Sequence, residues 1–281
     1  GRPVVRVLNP VSVEMQALRT SLVPGILETI RYNQNRGATL FRLFELGRVF
    51  SRAEAADRNA LDSYSEEDRL LVALAGDILP VSFDRPARPV DLFDLKGELD
   101  RLLSGLYLDK YRFIPYDGRN TLTEPTLAVE INGTYAGWFG RVRENVAERF
   151  EIGIPVFVGE LSVGVMTKHW VTERKFQPLP KFPGVTRDLA FIVDRTLQNG
   201  DLESTVREGA GPLLESVLLF DVFVGEQAGA GKKSLGYTLT FRSGDHTLTD
   251  KEVDDRIRAI VDRARSAHGA ELRAMNPEHN T

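Results

Sequence analysis

Residues 218–251, LLFDVFVGEQAGAGKKSLGYTLTFRSGDHTLTDK, decide how the second half of the chain folds. Residues 218–225 and 234–242 are rich in strand formers, and the loop 226–233 between them is too glycine-rich to be regular. That reads as a β-hairpin. Thr249 or Asp250 then caps a helix, with Glu252 placed in its first turn. Side chains alternate along a strand, which puts Phe220, Val222 and Val224 on one face and Asp221 and Phe223 on the other. In the partner strand Leu235, Tyr237, Leu239 and Phe241 oppose Ser234, Gly236, Thr238 and Thr240. One face is apolar and needs a core. The other carries small polar groups and one aromatic, Phe223, and is where function is expected.

Outward from the hairpin, residues 187–193 (RDLAFIV) read as a strand and 201–208 as a helix capped near Asn199 or Asp201. Residues 249–268 form a periodic helix through Val253, Ile257, Ile260, Val261 and Ala264, closed by Gly269. A short strand at 270–273 and a polar tail follow. The order β-α-β-β-α-β is the ferredoxin-like arrangement, with helices on one sheet face and the other face open. The open face collects Ala190, Asp221, Phe223, Ser234, Gly236 and Thr238. A sheet that shows an aromatic among small polar groups is how several modules stack and read unpaired RNA bases.

The first half predicts a different architecture. Residues 4–8 have strand character with no cap or turn before them, which suggests a chain cut from a longer one. Asn9-Pro10 makes a turn, residues 12–22 carry apolar side chains at helical spacing, and Pro24-Gly25 breaks that helix from a second one ending at Gly37. Residues 40–50 and 69–75 read as strands buried on both faces, with a surface loop at 52–66 between them. Residues 91–103 form an amphipathic helix on Leu92, Leu95, Leu99, Leu102 and Leu103. Strands follow at 111–116, 126–131, 135–140 and 155–163, with a short helix at 142–150; Asn132-Gly133 is a strong hairpin turn. The sum is an α+β fold, a mostly antiparallel sheet with helices followed by the ferredoxin-like βαββαβ domain. A stretch holding Pro178, Pro180, Pro183 and Gly184 is the linker. The expected boundaries are 1–170 for the first domain, incomplete at its N-terminus, 171–186 for the linker, 187–275 for the second domain and 276–281 for the tail.

Composition narrows the chemistry. The 281 residues are 42% hydrophobic and 27% charged, with no apolar run near the ~20 residues of a membrane span. No secretory signal opens the sequence. With 0 Cys there is no thiolate catalysis and no Cys-ligated zinc, and the 4 His are scattered without metal spacing. From residue 175 onward there are 14 basic and 16 acidic side chains, net −2; the remainder has 22 and 24, also −2. Neither half is basic enough for loose phosphate binding, which leaves a local site that reads particular bases. The segment Gly231-Lys232-Lys233-Ser234 is no phosphate loop, since Glu226 stands where that motif needs glycine and Lys233 where it needs Ser or Thr. No HExxH or GxSxG is present. Arg19, Glu45 and Arg48 are read as a structural ion pair in preference to substrate ligands.

Ordered blocks of residues carry a family resemblance. Asn9-Pro10-Val11-Ser12, Glu14-Met15, Leu18-Arg19-Thr20-Ser21-Leu22, Pro24-Gly25, Leu43-Phe44-Glu45-Leu46-Gly47-Arg48-Val49-Phe50 and Phe93-Asp94-Leu95-Lys96-Gly97 resemble the β subunit of bacterial phenylalanyl-tRNA synthetase. Phe182-Pro183, Arg187-Asp188-Leu189-Ala190, Leu219-Phe220-Asp221, Gly231-Lys232-Lys233-Ser234-Leu235 and Thr247-Leu248-Thr249-Asp250 are similar to the anticodon-binding domain of the same subunit. The resemblance implies a class II synthetase-like domain without catalysis, packed on an α subunit that holds phenylalanine, ATP and Mg²⁺. It implies no cofactor or metal in this chain, an α2β2 assembly with a second β subunit, a cytoplasmic location, and attachment of phenylalanine to phenylalanine tRNA by the whole enzyme. This chain alone is then inactive, and nothing in it resembles the family's editing domain. Carried over by motif position, Ala190, Asp221, Phe223 and Ser234 face the anticodon, and Lys232, Lys233 and Arg242 are RNA backbone contacts. Phe223 stands where the family often has Tyr, and His246 where it often has Arg. Two other readings compete: a general RNA- or protein-binding adaptor, and a free-standing nucleotide-binding enzyme.

Overall fold

Apolar side chains on both faces of a sheet call for a covering layer on each side, and the first unit supplies two. The computed structural model describes residues 4–11, 16–52, 63–79, 81–108, 110–116, 118, 120–171 and 179–273. It divides into two compact units, Gly1–Arg174 and Lys175–Thr281.

The first unit is built on α1 (Val23–Gln34), β1 (Leu40–Arg52), β2 (Tyr64–Leu79), β3 (Arg88–Pro89), α2 (Leu92–Gly105), β4 (Tyr111–Pro115), β5 (Thr123–Ile131), β6 (Thr134–Val142), α3 (Glu144–Arg149), β7 (Val156–Ser162) and α4 (Val163–His169). Its sheet runs β1-β2-β7-β6-β5-β4, with β3 beside β2. Every strand pair in it is antiparallel. On one face Ile26, Leu27 and Ile30 of α1 pack with Phe41, Ala73, Trp138 and Val158. On the other, Leu95, Leu99 and Leu103 of α2 and Met166 of α4 pack with Leu70, Leu74, Phe139 and Leu161. Burying each such leucine stabilises by about 1.5–3 kcal/mol. Asn132 and Gly133 join β5 to β6 with φ of 50° and 74°, the doubly positive turn that the sequence predicts.

Four expectations for this unit are corrected. Of the helix expected over 12–22, residues 12–15 lie outside the described residues. Ala17 forms a β-bridge to Arg6 and the Leu18 N–H donates to the Val5 carbonyl, so that stretch is extended. Pro24-Gly25 does not break a helix but opens one, because a first-turn residue needs no N–H partner. The buried start of α1 is anchored by Glu160, whose carboxylate accepts the Leu22 N–H at 2.7 Å. Strand β1 is not buried on both faces: it lies at the sheet edge, leaving Phe44 73% and Leu46 65% exposed. Residues 64–66, expected in a loop, belong to β2, and 53–62 lie outside the described residues. Helix α4 was not expected; the Ser162 hydroxyl caps it on the Val165 N–H. Of Arg19, Glu45 and Arg48, expected to form a buried ion pair, Arg19 pairs with Glu45 at 2.7 Å in a partly exposed position, while Arg48 turns to Glu66 and Asp68.

The second unit contains β8 (Val185–Asp194), α5 (Asn199–Ala210), β9 (Leu214–Phe223), β10 (Lys232–Phe241), α6 (Asp250–His268) and β11 (Glu271–Leu272). The sheet order β11-β8-β10-β9, all antiparallel, is the ferredoxin-like arrangement. Leu202 and Val206 of α5 and Val253, Ile260 and Ala264 of α6 close over Phe191, Leu235, Tyr237, Leu239 and Phe241. Thr249 and Glu252 form a reciprocal capping box at the start of α6, and Gly269 ends it at φ 63°. Helix α5 takes no cap from Asn199 or Asp201; the Asn199 side chain instead accepts the Tyr237 hydroxyl at 2.6 Å. Strand β9 begins four residues earlier than the sequence suggests and stops at Phe223.

Candidate nucleic-acid interface

Cross-strand register sets the face opposite the two helices. Residues paired across an antiparallel sheet share a face. Asp221 pairs with Gly236, which pairs with Ala190; Phe223 pairs with Ser234, which pairs with Ile192; Leu218 pairs with Thr238, which pairs with Asp188. Their neighbours Leu235, Tyr237 and Leu239 are in the core, so these three rows lie on the helix-free face. The site has a floor and a rim. Ala190, Gly236 and Ser234 are buried and form the floor, while Asp221 is exposed and Phe223 half-buried at the rim. The Thr238 hydroxyl donates to Asp188 at 2.7 Å and fixes the next row.

The structure therefore brings Ala190, Asp221, Phe223 and Ser234 together on one face. It treats the three basic candidates differently. Lys232 pairs with Glu271 at 3.0 Å near the surface. Lys233 donates to the Leu197 carbonyl at 2.6 Å, and Arg242 is held by Glu215 at 3.0 Å and by the Phe182 carbonyl at 2.5 Å. These bonds stitch the loop and the chain entering β8 to the sheet. His246, between Ser243 and Glu252, is part of the α6 cap.

Two residues that sequence reasoning missed also belong to this face. Arg273 follows β11, where its N–H donates to the Ala190 carbonyl. Its guanidinium reaches across the sheet to within 5.8 Å of the Phe223 ring centroid and 3.5 Å of the Gln227 amide oxygen. This adds positive charge to a face that otherwise shows Asp188 and Asp221. The second is Phe220. The register slips between Gly236 and Tyr237, so that Gly236 faces Asp221 while Tyr237 faces Leu219. Phe220 is the extra residue of a β-bulge. Simple alternation puts it with Val222 on the helix side. Instead its ring tip lies over Gly236, where an added Cβ would meet it at 2.9 Å. Val222 stays opposite Leu235. The only signal in the sequence is the glycine across the sheet, which leaves room for a close approach.

Among the described residues no group of three or more His, Asp or Glu side chains is placed to hold a metal, and no helix is long and apolar enough to cross a membrane.

Comparisons with known proteins match each unit to a domain family. A family model described as "Phenylalanyl tRNA synthetase beta chain CLM domain" matches residues 1–163, and one described as "Ferredoxin-fold anticodon binding domain" matches residues 180–273. Proteins named phenylalanine–tRNA ligase beta subunit are similar over nearly the whole chain. That of Salinibacter ruber is 41% identical over 96% of this chain and 33% of its own length. The protein from Symbiobacterium thermophilum is 34% identical over 98% and 30%, and that from Thiobacillus denitrificans 34% over 97% and 33%. The chain thus spans about a third of the length of these relatives. The chain belongs to the phenylalanyl tRNA synthetase beta chain family, with the CLM domain in its first unit and a ferredoxin-fold anticodon binding domain in its second.

Proposed function

We propose that this chain is the part of a phenylalanine–tRNA ligase β subunit that packs on a catalytic α subunit and reads the anticodon of phenylalanine tRNA. The observation that carries the reading is the helix-free face of the second unit: a small-residue floor of Ala190, Gly236 and Ser234 between exposed Asp221 and the Phe223 ring. A flat floor lets an unpaired base lie against the sheet. Phe223 supplies a stacking plane, and the Asp221 carboxylate accepts hydrogen bonds from base amino or imino groups. Ser234 adds a hydroxyl beneath. The Lys232 side chain is 41% exposed, and an RNA phosphate would compete with Glu271 for it. Lys233 and Arg242 would have to leave intramolecular partners to contact RNA.

In the whole enzyme, phenylalanine would be attached to tRNA with ATP and Mg²⁺, in a cytoplasmic α2β2 assembly containing a second β subunit. The first unit does not fit the nucleotide. Arg19, ahead of α1, is neutralised by Glu45, and Arg48 on β1 by Glu66 and Asp68, and those carboxylates would repel a triphosphate. The Asp68 and Glu66 carboxylates raise the Arg48 pKa further above its ordinary value. The chain alone is accordingly expected to bind RNA without charging it.

The test is binding of the 281-residue chain to an RNA stem-loop bearing the phenylalanine anticodon, beside one with changed anticodon bases. Preference for the first supports the proposal; equal affinity favours a general adaptor. Charging of tRNA without added α subunit would overturn the assignment of catalysis to the partner.

A further inference from the structure

The bulge in β9 gives the open face a second aromatic. We infer that Phe220 is a base-stacking residue for unpaired RNA, acting beside Phe223; the inference rests on the anticodon reading above and extends it.

The geometry is specific. A strand without the bulge would send Phe220 to the helix side with Val222. The extra residue instead sets Phe220 and Asp221 together against Gly236: a Cβ there would meet the Phe220 ring at 2.9 Å and Asp221 Cβ at 3.2 Å. Because Leu235 and Tyr237 point into the core, the Gly236 position points away from it, and so does the ring above it. Phe220 remains 53% exposed. It thus lies on the open face with much of its surface in water, beside the Asp221 carboxylate.

Spacing decides how two rings are used. Phe223 pairs with Ser234 and points its ring tip to Gly225, away from Phe220, whose ring tip lies over Gly236, two residues from Ser234 on β10. Two strand residues span about 7 Å. That is twice the ~3.4 Å separation of stacked bases. The two rings therefore suit two splayed bases, one on each, with Asp221 between them. Splayed and unstacked bases are what a single-stranded loop presents and what a duplex does not. The ligand class is a looped RNA segment with at least two unpaired bases, and Gly236 is the socket that keeps the Phe220 ring against the sheet.

The experiment measures binding of the full chain to the phenylalanine anticodon stem-loop by fluorescence anisotropy over a range of salt concentrations. Phe220→Leu keeps an apolar side chain but removes the ring plane; it should weaken binding about 5- to 150-fold, the worth of one base–aromatic stack. The slope of log affinity against log salt should not change, because no phosphate contact is lost. Phe220→Trp keeps a plane and should retain affinity. Gly236→Ala reaches the same ring from the partner strand and should weaken binding in the same way. If Phe220→Leu binds within twofold of the parent while Phe223→Ala loses affinity, Phe220 is only a surface residue and the inference fails alone. Equal weakening by Leu and Trp would likewise overturn it, since packing and not stacking would be at stake. A parent chain that binds both stem-loops equally refutes the anticodon reading, and this inference with it.

Discussion

Removing the Glu160 carboxylate should unfold the first unit far more easily than its single-residue size suggests. Glu160 sits on β7 at the middle of the sheet and is 2% exposed. One carboxylate oxygen accepts the Leu22 N–H at 2.7 Å; the other is 3.3 Å from the Ser21 hydroxyl and 3.5 Å from the buried Arg69 guanidinium. Glu160→Ala leaves a buried backbone donor without its acceptor, at about 1–3 kcal/mol. It also strips a partner from a buried cation, and breaking such a pair costs about 3–5 kcal/mol. Glu67 still pairs with Arg69 at 2.7 Å, which holds the total to about 3–5 kcal/mol in place of the full sum. Glu160→Gln keeps an acceptor for Leu22 and should cost roughly 1–3 kcal/mol. Replacing both charges, Glu160→Leu with Arg69→Met, should cost less than Glu160→Ala alone, because no unpaired ion stays behind. The assay is urea unfolding followed by tryptophan fluorescence. The chain has 2 Trp, Trp138 and Trp170, and both lie in Gly1–Arg174, so the signal reports that unit alone. A Glu160→Ala variant within about 0.5 kcal/mol of the parent, the range of ordinary surface changes, would refute the view that this carboxylate anchors α1 to the sheet.

Other predictions concern the second unit. Arg273→Gln should weaken binding of the anticodon stem-loop and lower the salt slope by about 0.7, the value for one phosphate on a single strand; an unchanged slope would assign Arg273 to the Phe223 ring instead. Thr249→Ala removes the α6 cap and should lower stability by about 1 kcal/mol, read from the thermal midpoint by circular dichroism. Hydrogen bonds from the Thr249 backbone and hydroxyl, then from His246, pull the Glu252 carboxyl down from 4.5 to about 2. A depressed folded pKa means that this stabilisation is complete above about pH 4.5 and is lost as pH falls through about 2. Thermal melts between pH 5 and 2 should therefore show less acid sensitivity in Glu252→Gln than in the parent. Tyr237→Phe removes the donor to Asn199 and should destabilise the second unit by about 1 kcal/mol, a loss visible in the same melts.

The element order of the second unit is legible because each signal is local. Alternation marks the strands, the stripe through Val253, Ile260 and Ala264 marks α6, and Thr249 with Glu252 marks its start. The site residues Asp221, Phe223, Ser234 and Ala190 share a face for the same reason of period two. Phe220 was not legible, since a bulge is a property of two strands in register and neither strand encodes it alone. Arg273 was hidden by distance: it reaches Phe223 from the far side of β8, fifty residues away along the chain. In the first unit Phe44 and Leu46 read as buried because an apolar run does not reveal that its strand lies at the edge of the sheet. Pro24 reads as a break in sequence because the helix-start and helix-stop meanings of proline differ only by what precedes it, here a turn held by Glu160.

Whether the helix-free face of the second unit reads anticodon bases is decided by one titration. The 281-residue chain is titrated with two RNA stem-loops that share a stem and differ only in their three anticodon bases. The phenylalanine anticodon should bind tighter by about 5- to 150-fold, and that preference should be lost in Asp221→Ala and Phe223→Ala. Equal affinity for the two loops, or a preference that survives both substitutions, would contradict it.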